Sequence, residues 1–394
     1  MRDRLRDLAS ASADYVELRY HDRRTHSVHV EKGRLESAQT SRRRGVGVRV
    51  LSGGTFGFAS TSRSDRDSIV AAIERARRAA RGAEPFRRER VGGLAPAPLA
   101  RGLYSEPGYR DLRARPLEEK VDLALRMEAR ARAGSSRIRS ATCRYSEIFE
   151  EKVIATSDGA DAEIQLVRPE FRVSAVAERD GELQTATESI GVTGGWECLF
   201  ERNAPEALAE RASHTAVDLL RAGYPEGGRA TVILAPAIVG LLAHEAIGHT
   251  VEADFVLAGS VARDKLGQRV ASERVTLVDS GASEHTAGAG GTLPVDDEGV
   301  PTRRTVVIRE GILESYLHSR ESAARFGVEP TGNARAWEFS DEPLIRMRNT
   351  YIEPGESTFE EMISDIKDGL YVRNWYGGMT SMEQFTFSAG EAYA

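Results

Sequence analysis

Lysine, cysteine and long apolar runs are all scarce in this chain. Only five of its 54 basic residues are lysine. There are two cysteines, Cys143 and Cys198, too far apart for a CxxC motif and too few for a disulfide framework. They are expected to be small core residues rather than redox or metal groups. No run reaches the ~18 apolar residues that a membrane span needs. The longest candidate, TVILAPAIVGLLA, is broken by Pro236 and runs into His244 and Glu245. The opening MRDRLRDLASASADY has no apolar core of the kind a secretory signal carries, so the cytoplasm is the expected location, with no membrane partner.

What is present is ordinary for a globular protein: 40% hydrophobic and 29% charged residues over 394 positions, a length that implies two or three domains. The first hundred residues hold 21 basic against 12 acidic side chains, and the rest hold 33 against 48. Such a split invites a nucleic-acid reading. However, the arginines are scattered through strand-like and helix-like patterns, and SRRRGVGVRV has no aromatic neighbours. A solvated surface is expected, without nucleic acid.

Periodicity divides the chain. YVELRYHDRRTHSVHVEKGRLESAQTS alternates apolar and polar residues around a turn at EKGR, and GVGVRVLSGGTFGFAST continues it through Ser52-Gly53-Gly54. SDRDSIVAAIERARRAARG predicts a helix starting at Ser64 or Asp65 and closing at Gly82. A Gly/Pro-rich connector places a boundary near residue 101. The next section opens with a helix after Pro116, continues as strands turning at Ser157-Asp158-Gly159 and Asp180-Gly181, and ends with a helix closed by Gly223. From Ala230 the character changes. TVILA reads as a strand buried on both faces, Pro236 opens a helix through AIVGLLAHEAIGHTVEAD, and a hairpin turns at Glu310-Gly311. The predicted architecture is α+β: antiparallel sheets with flanking helices, in an N-terminal domain (1–101), a central domain (102–226) and a C-terminal domain (227–394).

The informative stretch is HEAIGH. A helix advances about 100° per residue, so positions five apart diverge by ~140°. His244 and His249 share one ion only if the helix widens between them. A single π-type turn gives that register, and Gly248 is the residue best able to tolerate it. Two neutral imidazoles suit a zinc ion, which makes a bound water acidic near neutral pH. Glu245, beside the first histidine, is placed to take that water's proton and pass it to a leaving amine. Glu252 and Asp254 follow one to two turns on, to orient the histidines or add an oxygen ligand. The competing reading makes both histidines hydrogen-bonded core or interface residues. The pattern names no third ligand.

Longer blocks add to this. HEAIGHTVEADF, DDEGVP followed by REGIL, PTGNARAW, RMRNTYIEPGEST and SMEQFTFSAGEAY run in order along the chain. Together they resemble the TldD/PmbA family of metallopeptidases, in its metal-binding, TldD-like branch. The resemblance implies one zinc ion per catalytic subunit, with His244 and His249 as ligands and Glu245 as base. It implies peptide or unfolded-polypeptide substrates, including leader segments of modified peptides, and a TldE/PmbA-like partner subunit, with a homodimer as the alternative. It also implies a third ligand, a cysteine beyond the block matched by FTFSAGEAYA; that ligand is expected past Ala394, or else lost, which would leave a non-catalytic peptide-binding subunit. Within the other blocks, Asn333 or Arg335 would stabilise an oxyanion, and Asn349 and Tyr351 would hold substrate backbone, or simply pack and cap.

Overall fold

In the computed structural model, which describes residues 1–87, 89–224, 227–380 and 385–393 (of 375–380 and 385–391 only the backbone), the chain opens with a long antiparallel hairpin. Its strands are β1 (Tyr15–Glu31) and β2 (Arg34–Ser52). Lys32 and Gly33 turn it with φ of 49° and 74°, the left-handed pair that a two-residue hairpin matched to strand twist requires. Gly53 and Gly54 then lead into β3 (Thr55–Thr61). Val16 and Leu18 of β1 and Val46, Val48 and Val50 of β2 share one face. They pack on Ile69, Ala72, Ile73 and Ala76 of the helix Arg66–Ala83. That helix starts as predicted, with the Asp65 carboxylate accepting the Ser68 N–H at 2.9 Å.

The other face of the hairpin departs from expectation. Glu17, Arg19, His21 and Arg49 are buried beneath the C-terminal section. Arg49 pairs with Glu17 at 2.7 Å and Glu298 at 2.5 Å, and Arg19 lies 3.8 Å from Asp297. The solvated arginine surface is found at Arg42, Arg43 and Arg44, which are exposed, but not at Arg19 or Arg49. Alternation reveals which face of a strand is apolar. It does not reveal whether the polar face meets water or another part of the chain.

The central section supplies β4 (Arg101–Ser105), β5 (Ile138–Thr156), β6 (Asp161–Arg179) and β7 (Glu182–Gly191). It makes no separate sheet. β1 pairs antiparallel with β5 from Glu17↔Thr156 to Glu31↔Thr142, giving one sheet in the order β3-β2-β1-β5-β6-β4, with β7 on β6. The helices Leu117–Ala133 and Pro205–Leu219 cover it, and the core between them includes Val28, Cys143, Phe171, Leu123 and Leu208. The second helix stops short of Gly223 because its last turn tightens: Arg221 N–H and Ala222 N–H donate three residues back, to Asp218 and Leu219.

The C-terminal section holds β8 (Val232–Leu234), β9 (Leu277–Ser280), β10 (Thr305–Arg309), β11 (Ile312–Leu313), β12 (Ala334–Arg335), β13 (Leu344–Ile345), β14 (Asn349–Ile352), β15 (Leu370–Thr380) and β16 (Phe385–Tyr393). They form sheets ordered β11-β10-β9-β14, β12-β13 and β16-β15-β8. The fold is α+β with mainly antiparallel pairing. The reading of β8 as buried on both faces is corrected: it is an edge strand, parallel to β15, and Val232 is exposed. The expected boundary at 226 falls on Pro225 and Glu226, which lie outside the described residues, as do 381–384 of the last sequence block.

Candidate metal centre

The helix Pro236–Leu242 passes into a π-helical turn, Ala243–Gly248, then a 3₁₀ turn, His249–Val251. The His249 N–H donates to the His244 carbonyl, so the five-residue bond that defines the π turn joins the two histidines themselves. Their rings stand with centroids 4.7 Å apart and planes at 85°. Side chains that a regular helix would splay apart are neighbours.

Gly248 has φ of −52°, ordinary helical backbone, so conformational freedom is not why glycine is there. Packing is the reason. A Cβ at Gly248 would fall 1.8 Å from Met347 Sδ. Gly248→Ala is therefore expected to push β14's approach segment off the π turn, costing about 1–3 kcal/mol and weakening any metal binding by the histidine pair. The double variant with Met347→Ala should recover both. Thermal denaturation and a zinc competition titration check this.

The donor set suits a metal. Among the described residues neither His244 nitrogen takes a hydrogen bond, and His249 uses only Nδ1, 3.4 Å from Glu252 Oε1. His244 is exposed as a residue, but its ring is partly desolvated, and this, then the charge of His249, lowers its pKa below the ordinary value, favouring the neutral, ligating form. The Glu252 carboxylate, 3.4 Å from Nδ1, raises that of His249 against burial. Glu252 has no exposed surface; Arg346 holds its Oε2 at 3.2 Å, and its Oε1 is buried with no full hydrogen bond. An orphaned carboxylate oxygen aimed at an imidazole N–H is the arrangement that fixes a metal-bound histidine. Asp254 accepts from the Phe255 N–H, at 3.0 Å, and burial raises its pKa. Glu245 is half-buried, and its negative charge favours protonation of both rings.

His244 borders two cavities. One, of about 590 Å³, is also lined by His249, Arg335, Trp337, Arg346 and Met347. The other, of about 510 Å³, is lined by Glu284, His285, Asn349 and Tyr351. Of the four expected substrate contacts, then, Arg335 joins the histidine pair, its Nη1 donating to the Met347 carbonyl at 2.7 Å. Asn349 and Tyr351 face the second cavity. The Asn349 amide is committed to its own loop, accepting from Gly291 N–H at 2.7 Å and donating to Ala282 O at 3.0 Å. The Tyr351 hydroxyl donates to Glu284, and burial together with that bond raises its pKa. Asn333 has no exposed surface; its Nδ2 donates to Asp279 Oδ2 at 2.8 Å and to Arg346 O at 2.9 Å. It ties loops together behind the cavity.

Two organising groups escaped sequence reading. Asp279, fully buried, accepts from Arg348 N–H at 2.7 Å, Arg348 Nε at 2.9 Å, Thr350 Oγ1 at 2.9 Å and Asn333, and so sets the course of 346–350 beside His244. Asp296, Asp297 and Glu298 of DDEGVP form a buried acidic turn. Asp296 accepts Val300 and Ala334 N–H, Asp297 accepts Ala336 N–H and Lys152, and Glu298 takes Arg49 and Arg320 N–H. The sequence showed three acids before a glycine, without their distant partners. Glu284, His285 and Glu353 also converge, with ligand atoms within 4.8 Å of one another. Arg304 donates to both carboxylates, so a guanidinium already supplies the positive charge there. Neither cysteine reaches the histidines' cavity: Cys143 lies in the central core, its thiol pKa raised by burial, and Cys198 lies on the short helix Trp196–Phe200.

Comparison with known proteins defines the class. The PmbA/TldA metallopeptidase C-terminal domain model matches residues 227–394, the domain 1 model matches 16–80 and the central domain model matches 110–220. The chain belongs to the PmbA/TldD family of metallopeptidases. It is 35% identical to a metalloprotease of Methanothermobacter thermautotrophicus over 96% of this chain and 81% of the relative. It is 30% identical to the zinc metalloprotease TldD homolog of Saccharolobus solfataricus over 70% of this chain and 61% of the relative. The solved structure of TldE from Thermococcus kodakarensis shares the fold, with a TM-score of 0.77 at 20% identity, covering 99% of this chain and 87% of that one.

Proposed function

We propose that this protein is a zinc-dependent metallopeptidase that hydrolyses peptide bonds of extended, unstructured polypeptides or modified-peptide leader segments. The observation that carries the reading is the π turn, which sets the His244 and His249 rings 4.7 Å apart. Zinc bonds to imidazole nitrogen are ~2 Å, and perpendicular rings at that separation can flank one ion. The S. solfataricus relative, a zinc metalloprotease TldD homolog, supports the choice of metal. When bound, zinc supplies Lewis acidity and makes water a nucleophile near neutral pH.

The protein's own groups do the rest. Glu245 removes a proton from the attacking water and returns it to the leaving amine. Glu252 keeps the His249 ring oriented, and Asp254 adds negative charge nearby. Arg335 offers a guanidinium to the charge that develops on the carbonyl oxygen. Substrate lies as an added strand, held by its main chain, which tolerates many side chains. Asn349 and Tyr351 support it from the second cavity. A TldE/PmbA-like subunit or a second copy completes the assembly in the cytoplasm.

Metal content tests this. The wild-type protein is expected to carry one zinc per catalytic subunit, and His244→Ala or His249→Ala to carry none. A metal-free wild type that still binds peptide would make it the non-catalytic subunit instead.

A further inference from the structure

A third cavity, of about 380 Å³, adjoins the histidine cavity, the two sharing Arg335, Ala336 and Trp337 in their walls. Its lining is strongly cationic: Arg23 from β1, Lys152 from β5, Arg168 from β6, and Arg335. Not all of this charge is matched. Lys152 is paired with Asp297 at 3.0 Å. Arg168 is paired with Glu150, which also takes His21 Nε2 at 3.0 Å. Arg335 donates only to a neutral carbonyl, and Arg23 lies over the Trp337 ring, 3.7 Å from its centroid. The other carboxylates nearby are Glu170, exposed on the lining, Glu338, which Arg43 engages at 3.0 Å, Glu106, whose charge acts on Arg168, and Asp279, which Arg348 and Asn333 engage. Among the described residues, two guanidiniums therefore face the cavity without a hydrogen bond to a carboxylate.

We infer that this cavity is a carboxylate-binding subsite for the peptide substrate, in which Arg23 and Arg335, backed by Arg168, hold an acidic side chain or the chain's C-terminal carboxylate. The inference rests on the peptidase reading. The planar forks of two arginines suit a bidentate carboxylate, and Trp337, exposed at the junction of the two cavities, stacks one of those forks in place. Burial, then the charges of Arg335 and Arg23, pull the Arg168 pKa down to about 10. Burial likewise lowers those of Arg23 and Arg335. A bound carboxylate reverses this penalty, while a bound cation or an apolar group does not.

The test measures binding apart from turnover. The zinc-loaded full chain carrying Glu245→Gln is titrated with three labelled peptides of one length: neutral and C-terminally amidated, the same with one internal aspartate, and neutral with a free C-terminus. At least one carboxylate-bearing peptide is expected to bind about tenfold tighter than the neutral amide, the size of a charge-assisted pair. The advantage should shrink as salt rises. Which of the two gains tells side chain from terminus. Arg23→Gln should erase the advantage while leaving the neutral amide's Kd unchanged, and Arg23→Lys should retain part of it. Trp337→Ala, at an exposed ring, gives a second route to the same loss. Equal Kd for all three peptides overturns the subsite. A zinc-loaded wild type that shows the preference but cleaves nothing overturns the peptidase reading and leaves the subsite standing.

Discussion

Glu245→Gln is expected to keep zinc at the level of the wild type and to lower kcat on a cleavable peptide by about 10²–10⁴-fold, the usual contribution of a positioned general base. KM should change little, because the amide fills the carboxylate's volume and removes only proton transfer. The expectation separates Glu245 from its neighbours. His244→Ala and His249→Ala should lose metal and activity together. Glu252→Gln should retain zinc with weakened affinity, by about 10–100-fold, the usual cost of losing the partner that orients a ligand. Glu252 is fully buried and shares its carboxylate with Arg346, so that variant should also lose stability, whereas Glu245 is half-buried and its replacement should not. Parallel zinc stoichiometry, steady-state kinetics and thermal denaturation of the four variants would expose a wrong assignment. A Glu245→Gln enzyme with wild-type kcat would remove Glu245 from the chemistry.

The π turn was legible because two polar residues at a spacing forbidden to a regular helix carried the information locally. Hairpin turns at Lys32-Gly33, Asp180-Gly181 and Glu310-Gly311 were legible for the same reason: a left-handed residue next to glycine identifies itself. What stayed hidden depends on partners far along the chain. The pairing of β1 with β5 joins residues more than a hundred positions apart and leaves no local mark. Arg19 and Arg49 looked like members of a wet strand face because the acids they meet, Asp297 and Glu298, lie in another section. Asn333 was expected to offer its amide to an oxyanion, yet its donors are spent on Asp279 and Arg346. β8 erred in the opposite sense, since an apolar run predicts burial only where something packs on both faces.

The largest stability effect is expected where the buried acidic turn meets the long sheet. Lys152 and Asp297 are both nearly inaccessible, with Nζ 3.0 Å from Oδ1. Burial alone would raise the Asp297 pKa, but Lys152 and then Arg19 outweigh it and hold the carboxyl at about 2. A folded value depressed below the ordinary 3.8 contributes stability that is fully present above pH 3.8 and is lost as pH falls through about 2, worth about 2 kcal/mol at neutral pH. Lys152 offsets part of this, because burial pulls its ammonium below its ordinary value even with Asp297 beside it. The pair is thus a modest net gain, while Lys152 alone is a buried, unmatched charge and Asp297 alone keeps only the more distant Arg19, at 3.8 Å. Lys152→Met or Asp297→Asn singly should lower the unfolding free energy by about 3–5 kcal/mol, and the double variant by clearly less than the sum. Urea denaturation of the four proteins measures the coupling. The loss should also reach the site. The Asp297 N–H donates to Ala334 O at 2.7 Å and its Oδ2 accepts the Ala336 N–H at 2.8 Å, so this one residue clamps the backbone on both sides of Arg335. Lys152→Met should therefore weaken discrimination between acidic and neutral peptides under conditions where the variant is still fully folded. If that discrimination is intact in a folded Lys152→Met protein, Arg335 is held by its own bond to Met347 and not by the acidic turn.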